Sequence, residues 1–146
     1  MSDKLRESRQ RELSALYKRT TRYPLSVCSY CGFPRQCLDH VPPLKIADSV
    51  DIQDFRFRGG EFILFPSCLE CNALLGAKAL CTYQERLHFL YTAYIKRITE
   101  RSWSRAEMEE LGRGLKAFIE ARQYINAIRI EKLRGIESRM LEIDHE

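Results

Sequence analysis

No stretch of the chain approaches the ~20 consecutive apolar residues that a membrane-spanning helix requires. No low-complexity run interrupts its 146 residues either. The first residues are charged and do not form a basic end leading into an apolar core, so no secretory signal is expected. These absences predict a cytoplasmic protein without a membrane partner. With no route to an oxidising compartment in view, its cysteines are expected to be metal ligands and free thiols, not disulfides. A large excess of one charge is lacking too: 24 Lys and Arg against 20 Asp and Glu leave a net +4. The excess is uneven, since residues 1–22 alone carry seven basic side chains against three acidic ones. A smaller surplus falls on residues 82–128. Such clustering reads either as an electrostatic footprint for nucleic acid or as solvated helix faces, and charge alone does not separate the two.

Four of the six cysteines form two Cys-x-x-Cys pairs, Cys28/Cys31 and Cys68/Cys71. Two such knuckles supply four thiolates, enough to close a tetrahedral zinc site. A site with four protein ligands has no open position, so its role is expected to be structural. The 36 residues between the pairs exceed the loop of a simple zinc ribbon and must hold structure of their own. Cys37 and Cys81 fall outside the pattern and read as small buried hydrophobes. Asp39, His40 and Asn72 lie beside the cysteines and are not needed by them.

Residues 3–20 carry a sparse helical stripe, Leu5, Leu13, Leu16 and Tyr17, among basic side chains, and Pro24 ends it. Further on, Gly59-Gly60 separates Asp54–Arg58 from Glu61–Phe65, which predicts a β-hairpin with Phe55 and Phe57 on one face. Asn72–Leu80 suits a short helix. Thr82 and Glu85 have capping-box spacing ahead of Leu87, Leu90, Tyr91, Tyr94, Ile95 and Ile98. Ser104 and Glu107 repeat that spacing, with Trp103 and Met108 placed to form a hydrophobic staple. Met108, Leu111, Leu115, Phe118 and Ile119 are expected to make the buried face, with a break or close contact at Gly112 and Gly114. A stripe from Ile125 to Met140 continues the helix. The expectation is an α+β protein in three parts: a basic helical arm over 1–22, a zinc module over 23–81 and a helical region over 82–146. The apolar length of the last part predicts a homodimer or a larger protein partner.

Taken together, Cys-x-x-Cys-Gly at 28–32, Asp-His-Val-Pro-Pro at 39–43 and Pro-Ser-Cys-x-x-Cys-Asn at 66–72 resemble the zinc-stapled HNH endonucleases, over roughly residues 23–80. The resemblance implies a small ββα-metal module and divalent-metal-dependent hydrolysis of phosphodiester bonds in DNA; the nucleic-acid partner expected is DNA, with RNA as the alternative. It implies that His40 is the general base and that Asp39 and Asn72 bind a catalytic ion, Mg²⁺ or Mn²⁺. That chemistry is coherent: a hard cation takes oxygen ligands, while neutral imidazole removes a proton from water near pH 7. The chain departs from the family at Ile63, where an Asn usually orients the active-site loop. It departs again at Leu75, where a basic residue is common, although Gly76 matches.

Arg56, Arg58, Lys78 and Arg86 are candidates for phosphate contacts that position a nucleic acid without reading its sequence. His88, among apolar helix residues, and His145 read as structural or incidental. Beside the enzyme stands a second expectation, an inactive module of the same fold that binds nucleic acid or serves as a protein adaptor.

Overall fold

A computed structural model describes residues 2–76, 78–98 and 103–144; His145 lies outside them. The chain begins with helix α1, Asp3–Ser14, whose first turn is capped by the Ser2 hydroxyl on the Leu5 N–H. The stripe that suggested helix to residue 20 stops early, because Leu13 and Tyr17 turn inward to a cluster with Ala47 and Phe62. Lys18 and Arg19 then form strand β1, with the Lys18 N–H donating to the Phe62 carbonyl and the Thr20 N–H to the Leu64 carbonyl. Tertiary burial of Tyr17 and this edge pairing override the local helical tendency.

Strand β2, Cys37–Val41, follows the first knuckle, and two short helices, α2 (Leu44–Ser49) and α3 (Ile52–Phe57), lead to strand β3, Ile63–Ser67. The three strands pair in the order β1-β3-β2, β1 parallel and β2 antiparallel to β3. In this register Asp39 faces Phe65, His40 faces Leu64 and Val41 faces Ile63.

The expected hairpin around Gly59-Gly60 is therefore replaced. Asp51 accepts from the Asp54 N–H at 2.8 Å and starts a helix through the Phe-Arg alternation. Gly59, at φ +87°, closes that helix by donating to the Arg56 carbonyl, and the Gly60 N–H reaches the Phe55 carbonyl. Phe55 packs on Phe62 with ring centroids 4.9 Å apart, whereas Phe57 is 90% exposed. The two phenylalanines do not share a buried face.

Helix α4, Leu69–Leu75, starts directly after Cys68 and ends at Gly76, so it is shifted from the expected 72–80. Helix α5, Tyr83–Arg97, begins where the Thr82 hydroxyl accepts from the Glu85 N–H. Ser104 and Glu107 form the anticipated reciprocal cap on α6, Arg105–Glu109. A break at residues 110–112 separates it from α7, Arg113–Asp144. The C-terminal half of α7 lies in the main core, where Ile136 is fully buried and Leu133, Met140 and Ile143 pack beside it. On its N-terminal half Ile119 is buried, but Leu115, Phe118, Tyr124 and Ile125 are exposed, contrary to the expected inward face at 115 and 118.

Two apolar clusters hold the fold. One joins the knuckles, β2, β3, α4, α5 and α7, and the other lies between α1, α2 and the sheet. Among the described residues no helix is long and apolar enough to cross a membrane.

Candidate metal centre and catalytic site

The four knuckle cysteines are all buried, and their Sγ atoms lie within 4.8 Å of one another. Cys31 and Cys68 are 3.7 Å apart, close to the ~3.8 Å edge of a tetrahedron with zinc–sulfur bonds of ~2.3 Å. The donor set and its spacing thus suit a closed tetrahedral metal, and zinc in particular. Local geometry builds each knuckle. Gly32, at φ +83°, donates to the Cys28 carbonyl and turns the first one. The second opens α4, where the Cys71 N–H points at Cys68 Sγ from 3.4 Å.

Residues distant in sequence complete the surroundings. Lys132 on α7 places Nζ 3.5 Å from Cys68 Sγ and 3.4 Å from Glu70. Burial works against its charge, but the Cys68 and Glu70 charges prevail and raise its pKa. This ammonium offsets part of the negative charge that four thiolates concentrate. Tyr94 on α5 lies 3.1 Å from Cys71 Sγ. Gly135 lets α7 sit directly on the first knuckle, since a Cβ there would stand 2.1 Å from the Cys31 carbonyl oxygen. Arg139 then reaches the Ser29 carbonyl at 2.9 Å. Sequence reasoning missed Lys132, Tyr94 and Gly135; a glycine inside the Leu133–Ile136 apolar stripe was the one visible signal.

Asp39 and His40 are neighbours on β2, and successive side chains of a strand leave opposite faces. Asp39 turns into the main core, where it is 6% exposed. Its Oδ2 accepts from the Tyr30 hydroxyl at 2.5 Å and from Arg86 Nη1 at 2.6 Å. Burial pushes the carboxyl up, and the Arg86 guanidinium pulls it back. Burial also raises Tyr30 well above the usual phenol value, which keeps it a donor. Oδ1 of Asp39 accepts no hydrogen bond from the described residues and is not sealed from solvent.

His40 turns to the other face, where the Tyr17 ring meets it edge-on with centroids 4.8 Å apart. Burial lowers its pKa, with Asp39 opposing, so the neutral imidazole is favoured. Asn72 is half-buried in the first turn and a half of α4. Tyr30 and Arg86 thus fix the Asp39 carboxylate through Oδ2.

The candidate phosphate contacts divide. Arg86 does not belong among them: it is 1% exposed, and its guanidinium also donates to the Leu80 and His40 carbonyls. Its place on the buried face of α5 was hidden by reading it as one more surface charge. Arg58 is exposed and paired with Asp54 at 3.2 Å. Lys78 is exposed over the Phe89 ring. Arg56 lies over the Phe62 ring and lines a groove of about 910 Å³ at the end of the sheet. Lys18, Arg19 and Arg22 line it as well, whereas Asp39, His40 and Asn72 do not.

No family model, curated protein or solved structure matches the chain. The fold and site define its class: a mixed α+β protein, mainly helical, with a small three-stranded sheet. Four clustered cysteines in it are able to hold a metal.

Proposed function

We propose that the chain is a divalent-metal-dependent endonuclease of the HNH kind, hydrolysing phosphodiester bonds in DNA. The observation that carries this reading is the β2–β3 strand pair lying between the two cysteine knuckles, followed by α4, which the second knuckle opens. It sets Asp39 and His40 on one strand and Asn72 on the helix that leaves the second knuckle. In this reading His40 takes the proton of the attacking water, and Asp39 Oδ1 and Asn72 hold the ion. A bound Mg²⁺ or Mn²⁺ supplies charge to polarise the scissile phosphate. Tyr30 and Arg86 orient the carboxylate, and zinc on the four cysteines is structural.

A second, non-enzymatic reading draws on two other observations. Ile63 stands where the resembled family carries its orienting Asn, and Asp39 and His40 leave opposite faces of β2. In that reading the fold is kept as a nucleic-acid-binding or adaptor module.

Plasmid cleavage with Mg²⁺ or Mn²⁺ separates the two, comparing the parent with His40→Ala at equal zinc content. The enzyme reading expects nicked or linear product from the parent and a loss of at least 100-fold in the variant, in the range typical of a general base. Equal cleavage by both removes His40 as base. No cleavage of DNA or RNA by the parent favours the binding module.

A further inference from the structure

We infer that the groove at the end of the sheet is a track for a phosphodiester backbone, and that it delivers the strand to the His40 end of β2. This rests on the proposed nucleic-acid substrate and names the surface that would hold it. The groove lies between β1 with the residues after it, the loop joining α3 to β3, and the entry to α5. Among the described residues, Lys18, Arg19, Arg22 and Arg56 line it against a single carboxylate, Glu61. Four cations to one anion is a strong local bias in a chain whose whole net charge is +4. A concave surface lined by one sign of charge concentrates counter-charged ligands.

The cations are also placed in advance. Lys18 and Arg19 are fixed on a strand and exposed. Arg22 is held over the Tyr83 ring at 5.6 Å and Arg56 over the Phe62 ring at 5.5 Å. Stacking leaves the planar guanidinium fork with fewer rotamers to lose when it meets a phosphate. Thr20 and Thr21 add hydroxyl donors to the wall. The floor includes Val41, the residue after His40, and its cross-strand partner Ile63. The track therefore meets β2 at its Val41 end, next to His40 along the strand but on the face that Val41 shares with Asp39, and Ile63 sits in it as an apolar spacer. Neither Asp39 nor Asn72 is needed for this surface to bind.

The test is equilibrium binding of fluorescent duplex and single-stranded DNA, and of RNA, over a salt series in EDTA without divalent ions. The parent is compared with Lys18→Gln/Arg19→Gln/Arg56→Gln, with Arg105→Gln as a charge control outside the groove. The triple variant should bind more weakly and lower the salt slope on duplex DNA by about 0.9 per phosphate contact removed. Arg105→Gln should keep the parent slope. Parent-like affinity and slope in the triple variant, with its zinc content and circular dichroism intact, overturn the track. So does the absence of binding by the parent to all three nucleic acids. Binding that follows the groove charges in a protein that never cleaves supports the track and refutes the nuclease. Undiminished cleavage by the triple variant does the reverse.

Discussion

Arg86 shows how a single residue changes meaning between sequence and fold. In sequence it is one of 24 basic side chains, and nothing distinguishes it from a solvated charge. In the fold it is buried at the end of a cross-chain link: α5 to β2 through Asp39, and Asp39 to the first knuckle through Tyr30. A buried ion pair is not automatically stabilising, because desolvation offsets the attraction, but removing one partner leaves an unpaired charge in the core. Arg86→Met should therefore cost about 3–5 kcal/mol. Asp39→Asn should cost a comparable amount, and the double variant clearly less than the sum. Urea unfolding of the zinc-loaded proteins measures all three. Additive losses would show that the two side chains are not coupled, and would remove Arg86 as the group that orients Asp39.

At the scale of elements, segments whose ends carry local chemistry were legible, and segments decided by long-range packing were not. The caps at Thr82 and Ser104 and the break before Arg113 follow from hydroxyl, carboxylate and glycine positions within a few residues. The strand pair Cys37–Val41 with Ile63–Ser67 was hidden because its partners are separated by two short helices. Four alternating residues before Gly59 were too short a pattern to outweigh the Asp51 cap. The exposed Leu115 and Phe118 follow from the same limit, since a helical stripe tells which residues share a face and not what covers it.

Gly135 is the element-scale feature with the sharpest consequence. Alanine normally gains about 1 kcal/mol over glycine inside a helix. Here its Cβ would meet the Cys31 carbonyl oxygen at 2.1 Å and the carbonyl carbon at 2.8 Å, backbone atoms that cannot swing aside. Gly135→Ala should thus destabilise despite its propensity, by about 1–3 kcal/mol for an overpacked contact. Gly114→Ala, which meets nothing within 4 Å near the start of the same helix, should gain roughly 0.5–1 kcal/mol. Thermal unfolding of the pair checks the sign. A stabilised Gly135→Ala protein would mean that α7 does not rest on the first knuckle.

For the whole molecule, the question is whether the four cysteines hold only their own module or the entire chain. The main cluster contains all four cysteines together with Leu87, Leu90 and Tyr94 of α5 and Ile136 of α7. Lys132, Tyr94 and Gly135 bind those helices to the metal centre itself. Binding a metal only in the folded state adds its binding energy to folding, so removal should be felt as far as α7. The expected content is one zinc per chain. In the loaded protein Cys37 and Cys81 alone should react with a thiol reagent, slowly, since both are half-buried and burial raises both thiols. After chelation all six should react. Helical circular dichroism should fall by more than the seven-residue α4 accounts for. Cys68→Ser should reproduce that state without a chelator. If α5 and α7 keep their helicity and melting temperature when zinc is gone, the C-terminal helices form an independent body. The shared core would then contribute little to holding the candidate catalytic strand in place.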